Sequence, residues 1–158
     1  MECVIEIPKN SHLKYEINDD GHLLLDRVLP KGFVFPGNYG YIPNTLACDS
    51  DPLDVLVLTE YPIQSLCRVK CRAVAVLIMK DEKGLDEKIL AVPTSAVDMT
   101  YDQIRNIEDI PERTLKEVEL FFRMYKKLES EKWTEVTGFE DAECARSLIE
   151  KYAIAHKK

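Results

Sequence analysis

The strongest constraint on the fold is a change in hydrophobic pattern along the 158 residues. In the first two thirds, short segments rich in Val, Ile and Leu are separated by turn residues, which is typical of β-strands. In the last third, apolar residues recur at helical spacing. Strands followed by helices favour an α+β domain with helices packed on a mostly antiparallel barrel or sheet. Six strands are predicted: 3–7, 13–17, 23–28, 53–58, 68–79 and 88–92.

Two helices and one further strand are predicted near the C-terminus. Segment 112–129 carries one apolar stripe, formed by Leu115, Val118, Phe122, Tyr125 and Leu128. Segment 141–156 repeats this spacing, and 133–137 predicts a short strand between the two helices. Leu120 and Met124 lie off the first stripe, and they are interpreted either as ordinary surface residues or as a contact with another subunit. The chain length suits one domain, residues 1–158.

The overall charge excludes some functions. The formal net charge is −7, so bulk attraction to nucleic acid or to an anionic membrane is not expected. No apolar run approaches the ~20 residues that cross a bilayer, and residues 1–10 show no secretory signal pattern. Five cysteines, an odd number, argue against a disulfide framework. We therefore expect a cytoplasmic protein, in which a cation would have to bridge any polyanionic ligand.

The most distinctive segment is 49–55, Asp-Ser-Asp-Pro-Leu-Asp-Val, directly before an apolar strand. Asp49, Asp51 and Asp54 would repel one another if uncompensated, which indicates a bound cation. Asp-Ser-Asp-Pro is equally good turn chemistry, so this segment alone supports a solvated acidic turn just as well. It does not fit an EF-hand calcium loop, because Asp54 occupies the position of the required glycine.

A second acidic segment, 81–88, lies between two apolar strands, and alone it is better interpreted as a polar hairpin around Gly84. Together, however, the two segments carry a resemblance. Segment 49–55 is similar to the signature D-x-D-P-x-D-hydrophobic of the family I soluble inorganic pyrophosphatases. The family's other motifs follow in order and with closely similar spacing, over about residues 2 to 155: Ile5-Glu6-Ile7-Pro8, Lys14-Tyr15-Glu16, Asp26-Arg27, Asn38-Tyr39-Gly40-Tyr41, Asp81, Asp86, Lys88 and Tyr125-Lys126.

The resemblance implies a fold and an activity. The fold is a small closed β-barrel of the oligonucleotide-binding type, mostly antiparallel, with two main C-terminal helices packed on it. The activity is the hydrolysis of inorganic pyrophosphate to two phosphates by a metal-activated water, without a covalent intermediate. Several Mg²⁺ ions per active site are implied, with Mn²⁺ as an alternative. A homo-oligomer is also implied, with a hexamer favoured over a dimer or a trimer.

Matched residue by residue, the resemblance implies three sets of site residues. Asp51 is the implied general base. Six carboxylates are the implied metal ligands: Glu6, Glu16, Asp49, Asp54, Asp81 and Asp86. Six groups are implied to bind phosphate: Lys14, Arg27, Tyr39, Lys88, Tyr125 and Lys126. These seven acids and four bases give a net charge of −3 when all are ionised, so the site should repel pyrophosphate until divalent cations enter. All-oxygen ligands suit a hard ion such as magnesium.

One departure and three alternatives remain. Phe35 stands where the family usually has a tyrosine, eight residues after Arg27, so one hydroxyl near a phosphate is expected to be missing. A nucleic-acid module would need a basic groove with exposed aromatic residues, whereas the predicted cleft is acidic. A purely structural metal site would leave the site's four basic residues without a role. Hydrolysis of another phosphoanhydride, such as a nucleotide, lacks support because no glycine-rich phosphate loop is present.

Overall fold

A computed structural model describes residues 1–154. The strands are β1 Glu2–Ile7, β2 Leu13–Ile17, β3 Leu23–Val28, β4 Asn38–Tyr41, β5 Asp54–Val57, β6 Arg68–Asp81, β7 Gly84–Leu85, β8 Lys88–Pro93 and β9 Thr134–Asp141. The helices are α1 Glu112–Met124 and α2 Ala142–Tyr152, preceded by two short 3₁₀ helices, Met99–Tyr101 and Ile107–Asp109. The prediction of a strand-rich first part followed by two helices is confirmed.

Most strands belong to one seven-stranded sheet. Its neighbours run β1-β4-β5-β8-β6-β7, and β9 pairs with the far side of β6. β5 and β8 are parallel, whereas the other pairs of this sheet in the described part of the chain are antiparallel. β1 pairs with β4 and also, through residues 2–4, with residues 68–70 of β6. β2 and β3 form a separate antiparallel hairpin.

The sheet has a hydrophobic core on each side, and β8 shows why. Successive side chains of a strand point to opposite faces. Ile89 and Ala91 accordingly join a cluster that includes residues of α2, whereas Leu90 and Val92 join a cluster that includes residues of α1. All six residues of β8 are buried. Neither face of this strand contacts water, so its residues 89–93 form a continuous apolar run in the sequence.

The predicted end of the first helix is wrong. α1 stops at Met124 instead of residue 129, so Lys126 lies in the following turn rather than in the last helical turn. The Thr134 hydroxyl donates to the carbonyl oxygens of Phe122 and Arg123, 2.9 and 3.3 Å away, and so satisfies carbonyls that a helix end leaves unpaired. Leu128, assigned to the buried stripe, is 77% exposed because it lies beyond this end.

The second helix and the last strand also differ from their predicted limits. α2 begins after Asp141, whose carboxylate accepts a hydrogen bond from the Cys144 amide at 2.9 Å, the usual N-cap arrangement. It ends at Tyr152 because Ala153 is extended and pairs with Thr45. Residues 155 and 156 of the predicted helix lie outside the described residues. β9 covers residues 134–141 instead of 133–137, so it continues four residues beyond its predicted C-terminal end, where residues 138–141 pair with residues 75–78 of β6.

The loop 29–44, predicted to contain neither a helix nor a long strand, includes the four-residue strand β4. Gly40 lies opposite Ile5 of β1, and a Cβ atom at Gly40 would stand 1.8 Å from the Val4 carbonyl oxygen. Glycine therefore permits the close approach of β1 and β4. Within residues 1–154, no helix is both long and apolar enough to span a membrane.

Candidate active site

One small cavity collects all the site residues that the family resemblance implies. Its volume is about 190 Å³, and it is smaller than two other cavities of about 590 and 820 Å³. Of these three cavities in the described part of the chain, the small one alone combines many carboxylates with lysines and an arginine. Its lining includes each of the thirteen predicted site residues: Glu6, Lys14, Glu16, Arg27, Tyr39, Asp49, Asp51, Asp54, Asp81, Asp86, Lys88, Tyr125 and Lys126.

The inner wall of this cavity consists of Tyr39, Asp54, Asp86 and Lys88. β5 and β8 run in parallel with Asp54 opposite Lys88, so their side chains meet. The Lys88 ammonium lies 2.6 Å from Asp54 Oδ2, 2.8 Å from Asp86 Oδ1 and 2.8 Å from the Tyr39 hydroxyl oxygen. The Tyr39 hydroxyl donates to Asp54 Oδ2 at 2.8 Å. The inner wall is thus one connected hydrogen-bonded group.

Lys88 is charged even though it is only 1% exposed. Burial alone would lower its pKa, but the nearby Asp54 and Asp86 carboxylates outweigh burial and hold the pKa well above its usual value. Burial raises the pKa of Tyr39 well above its usual value, so this hydroxyl keeps its proton. The inner wall therefore presents a fixed ammonium group and a fixed hydroxyl donor.

A second buried ion pair lies nearby. Lys126, in the turn after α1, places its ammonium 3.0 Å from Asp81 Oδ2 at the end of β6. Asp81 Oδ1 also accepts from the Lys83 amide at 2.9 Å. Burial would raise the pKa of Asp81, but the Lys126 ammonium and the Lys83 amide lower it overall. This carboxylate is therefore ionised, and the early end of α1 is what lets Lys126 reach it.

The rim of the cavity is formed by Lys14, Glu16 and Arg27 on the β2–β3 hairpin, and Asp26 lies beside them. Lys14 and Arg27 are cross-strand partners, so two cationic side chains stand together. The Lys14 ammonium lies 3.0 Å from Asp26 and 3.2 Å from Glu16, and Arg27 Nε lies 3.1 Å from Asp26. Arg27 also pairs with Glu129. Glu16 and Asp26 are exposed, so the rim contacts water where the inner wall does not.

Three further carboxylates have raised pKa values. Burial raises the pKa of Glu6 to about 7, although Glu6 Oε2 accepts a hydrogen bond from the Ile17 amide at 2.8 Å. Burial likewise raises the pKa of Asp49 and, despite Lys88, that of Asp86. In each case burial outweighs the favourable contacts, so the ionised carboxylates would be stabilised further by a bound cation.

Both acidic segments have the local structures that their turn chemistry predicts. In segment 49–51 the Asp51 amide donates to Asp49 Oδ1 at 3.1 Å, and Ser50 has a positive φ of 69°. Gly84, with φ of 117°, is the first residue of β7, directly after the two-residue turn that follows β6. The turn and hairpin interpretations are thus correct for the backbone. They do not compete with a site, because every acid of the two segments except Glu87 lines the same cavity.

The donor set fits a divalent ion. Among the described residues, no three His, Cys, Asp or Glu side chains are gathered closely enough to hold one. Asp54 and Asp86 instead both contact the Lys88 ammonium. The side chains available to a metal are nevertheless all carboxylates, from Glu6, Glu16, Asp49, Asp54, Asp81 and Asp86, and this is the chemistry that hard divalent ions prefer.

Sequence reasoning missed Glu87, which lies between two cavity residues. Its Oε1 accepts a hydrogen bond from the Tyr152 hydroxyl at 3.1 Å, and that hydroxyl lies 3.3 Å from Cys48 Sγ. The available signal was a charged residue two positions before the apolar run 89–93. Three charged residues that do line the cavity, Glu82, Lys83 and Lys132, were missed as well. Phe35 does not line the cavity; it is buried, and its ring packs against Tyr39 at 5.3 Å between centroids.

A strand-rich α+β domain with carboxylates, lysines and an arginine around one small cavity has the components of a metal-dependent phosphoryl-transfer enzyme. A family model described as inorganic pyrophosphatase matches residues 3–157. The chain belongs to the inorganic pyrophosphatase family, hydrolases that convert pyrophosphate to phosphate. The predictions of this family and of hydrolase activity are confirmed.

Individual relatives agree. An inorganic pyrophosphatase of Campylobacter jejuni is 49% identical over 152 residues, which are 96% of this chain and 88% of the relative. The solved structure of the Helicobacter pylori enzyme has a TM-score of 0.94 and 44% identity, and the match covers 96% of this chain and 90% of that one. For the Thermus thermophilus enzyme the TM-score is 0.89 and the identity 45%, with the same coverage.

Proposed function

We propose that the small cavity is the place where pyrophosphate is hydrolysed, by a metal-activated water and without a covalent intermediate. The observation that carries this proposal is the combination, within about 190 Å³, of carboxylates whose pKa is raised by burial with lysines held in the charged state. The first group would be stabilised by further positive charge and suits divalent ions, whereas the second suits a phosphate. Phosphoryl transfer requires little more than such placement and electrostatics.

The ions we propose are several Mg²⁺ per site, with Mn²⁺ as a substitute. The proposed ligands are the six carboxylates Glu6, Glu16, Asp49, Asp54, Asp81 and Asp86. Bound divalent ions would lower the pKa of a coordinated water and draw negative charge from the phosphates. Since Lys88 contacts Asp54 and Asp86, its ammonium partly neutralises these acids before any ion binds, which lessens their mutual repulsion.

Asp51 is the proposed general base. Its backbone amide is tied to Asp49, while its side chain is exposed at the tip of the turn and lines the cavity. A carboxylate held in this way can accept a proton from a water in the cavity without breaking a buried ion pair. A general base typically contributes a factor of about 10² to 10⁴ in rate.

Six groups are proposed to bind and orient the substrate. Lys14 and Arg27 at the rim meet the phosphates first, where water is still present. Lys88 and Lys126 then neutralise charge from inside, and Tyr39 and Tyr125 offer hydroxyl donors whose pKa is raised by burial. Fixed cations and hydroxyl groups of this kind stabilise the charge that builds up on the leaving phosphate.

Four finer features are also proposed. The strands form a closed barrel, which is supported by the pairing of β1 with both β4 and β6. Residues 1–158 form a single domain. The chain forms a homo-oligomer, with a hexamer favoured, and Leu120 and Met124, 60% and 37% exposed on α1, are candidates for a subunit contact. The location is cytoplasmic, in keeping with five free cysteines.

Phosphate release tests the reaction. It is measured from pyrophosphate and from ATP, each with Mg²⁺, with Mn²⁺ and with a chelator. We expect rapid release from pyrophosphate that depends on Mg²⁺, with slower release in Mn²⁺ and none in chelator. Release from ATP at a similar rate would point to a nucleotide hydrolase instead, and release from neither substrate would leave a structural metal site.

A further inference from the structure

A buried carboxylate without a role in the proposed reaction lies directly beside the site. Glu87 is only 5% exposed, and it does not line the cavity that its neighbours Asp86 and Lys88 line. Its Oε1 accepts from the Tyr152 hydroxyl at 3.1 Å, and its Oε2 has no hydrogen-bond partner within residues 1–154. A buried carboxylate with an unpaired oxygen is costly to folding, so its single partner matters.

Tyr152 connects Glu87 to the acidic turn through its side chain. The Tyr152 hydroxyl lies 3.3 Å from Cys48 Sγ, the residue directly before Asp49. Because the single phenolic proton is donated to Glu87, the Cys48 thiol has to donate to the tyrosine oxygen. The three groups therefore form a directed chain, from thiol to phenol to carboxylate. Burial raises the pKa of Tyr152, so the phenol keeps the proton that this chain needs.

The backbone of Tyr152 holds the same segment. The Leu46 amide donates to the Tyr152 carbonyl oxygen at 2.8 Å, two residues before Cys48. One residue at the end of α2 thus contacts the segment that leads into the acidic turn at two points, by main chain and by side chain. The main-chain contact survives any substitution of the side chain, whereas the contact to Cys48 depends on the hydroxyl alone.

We infer that Tyr152 is a positioning residue for the reaction: its hydroxyl, held between Cys48 and Glu87, fixes the spacing of Asp49 and Asp86. This inference rests on the proposed function, in which both aspartates bind metal. Each end of the bridge is one residue away from one of these ligands, so the bridge joins the acidic turn to the start of β8. Groups that orient metal ligands commonly change metal affinity by about 10- to 100-fold when they are lost.

The central test is Tyr152→Phe, which keeps the ring and removes the hydroxyl. Pyrophosphate hydrolysis is titrated with Mg²⁺, and Mg²⁺ binding without substrate is measured by calorimetry. We expect the Mg²⁺ concentration for half-maximal activity to rise about 10-fold, with kcat at saturating Mg²⁺ within about threefold of wild type. The dissociation constant for Mg²⁺ should rise by a similar factor, because the ligands are less well placed rather than lost.

Matched variants separate positioning from general stability. Tyr101→Phe removes a tyrosine hydroxyl outside the cavity and should leave the Mg²⁺ titration unchanged. Cys48→Ser keeps a donor and should resemble wild type, whereas Cys48→Ala should shift the titration in the same direction as Tyr152→Phe, by less. Glu87→Gln keeps an acceptor for the phenol and should have little effect. Cys48→Ala also carries the test alone if Tyr152→Phe does not fold.

The outcomes are distinct. A Tyr152→Phe protein that melts at a lower temperature but keeps the wild-type Mg²⁺ titration and affinity would overturn the inference, since the hydroxyl would then be merely structural. If wild type does not hydrolyse pyrophosphate but its calorimetric Mg²⁺ affinity still falls in Tyr152→Phe, the proposed reaction fails and the positioning role stands. If wild type hydrolyses pyrophosphate and both Cys48→Ala and Tyr152→Phe leave the metal dependence unchanged, the proposed reaction stands and the positioning role fails.

Discussion

The inner wall and the rim use the same kinds of side chain in different surroundings. In the inner wall, Lys88 is buried against two carboxylates and a hydroxyl, in a group that parallel pairing of β5 and β8 places in register. At the rim, Lys14 pairs with two carboxylates that water also reaches. Breaking a buried ion pair leaves an uncompensated charge, whereas exposed pairs contribute little. The inner wall should therefore affect both folding and catalysis, and the rim mainly substrate binding.

The largest effect is expected for Lys88→Met, which removes the cation of the inner wall and leaves Asp54 and Asp86 facing each other. The free energy of unfolding should fall by about 3–5 kcal/mol, measured in urea with chelator present. Pyrophosphate hydrolysis should be lost. Added Mg²⁺ should stabilise this variant more than wild type, because the ion can replace the missing positive charge. A decrease in the free energy of unfolding of less than about 1 kcal/mol would mean that Lys88 and its carboxylates do not behave as a buried ion pair.

Asp51→Asn tests a residue that is exposed like the rim but is proposed to take part in the chemistry. We expect kcat to fall by about 10²- to 10⁴-fold, because the amide cannot accept the proton. Unfolding in urea should change by no more than about 0.5 kcal/mol, as is usual for an exposed position. Turnover near that of wild type would remove Asp51 from its proposed role.

Glu6 lies between the two regions, and its pKa of about 7 exceeds the value of 4.5 for a free side chain. From about pH 4.5 to 7 the folded state therefore holds a proton that the unfolded state has lost, so stability falls as the pH rises through this window. With chelator, the free energy of unfolding of wild type should fall by roughly 2 kcal/mol more across the window than that of Glu6→Gln. If the free energy of unfolding changed with pH in the same way for both proteins, the raised pKa of Glu6 would be contradicted.

At the rim, Lys14→Met is expected to change stability far less than Lys88→Met does. The free energy of unfolding should change by no more than about 1 kcal/mol, because its ion pairs are accessible to water. The KM for pyrophosphate should rise, since a cation that meets the phosphates is lost. Urea unfolding and steady-state kinetics check the two effects. A loss of stability as large as that of Lys88→Met would contradict the proposed difference between the rim and the inner wall.

The sequence predicted well wherever the determining residues are close together in the chain. The alternation of 13–17 gives β2, and the Pro- and Gly-rich loop contains only a short strand. The end of α1 was missed because the hydroxyl that pairs with its last carbonyls belongs to Thr134, which follows the next turn and begins β9. No local pattern reports such a partner.

The same distinction applies to the site, whose residues could be predicted although their contacts could not. Its members were named from motifs, and all thirteen line one cavity. The contacts among them were not predicted, because whether Lys88 meets Asp54 depends on the parallel register of two strands far apart in sequence. Glu87 was missed because its partner, Tyr152, lies 65 residues away on α2. These contacts are decided by burial and long-range pairing, which a single sequence indicates only weakly.

The β2–β3 hairpin has its own ladder of hydrogen bonds and takes no part in the ladder of the larger sheet. Its amides can therefore open to solvent without any strand of the main sheet having to separate. We expect deuterium to enter the amides of β2 and β3 long before those of β8. Lys14 and Arg27 would then belong to a mobile segment, and Lys88 to a rigid one.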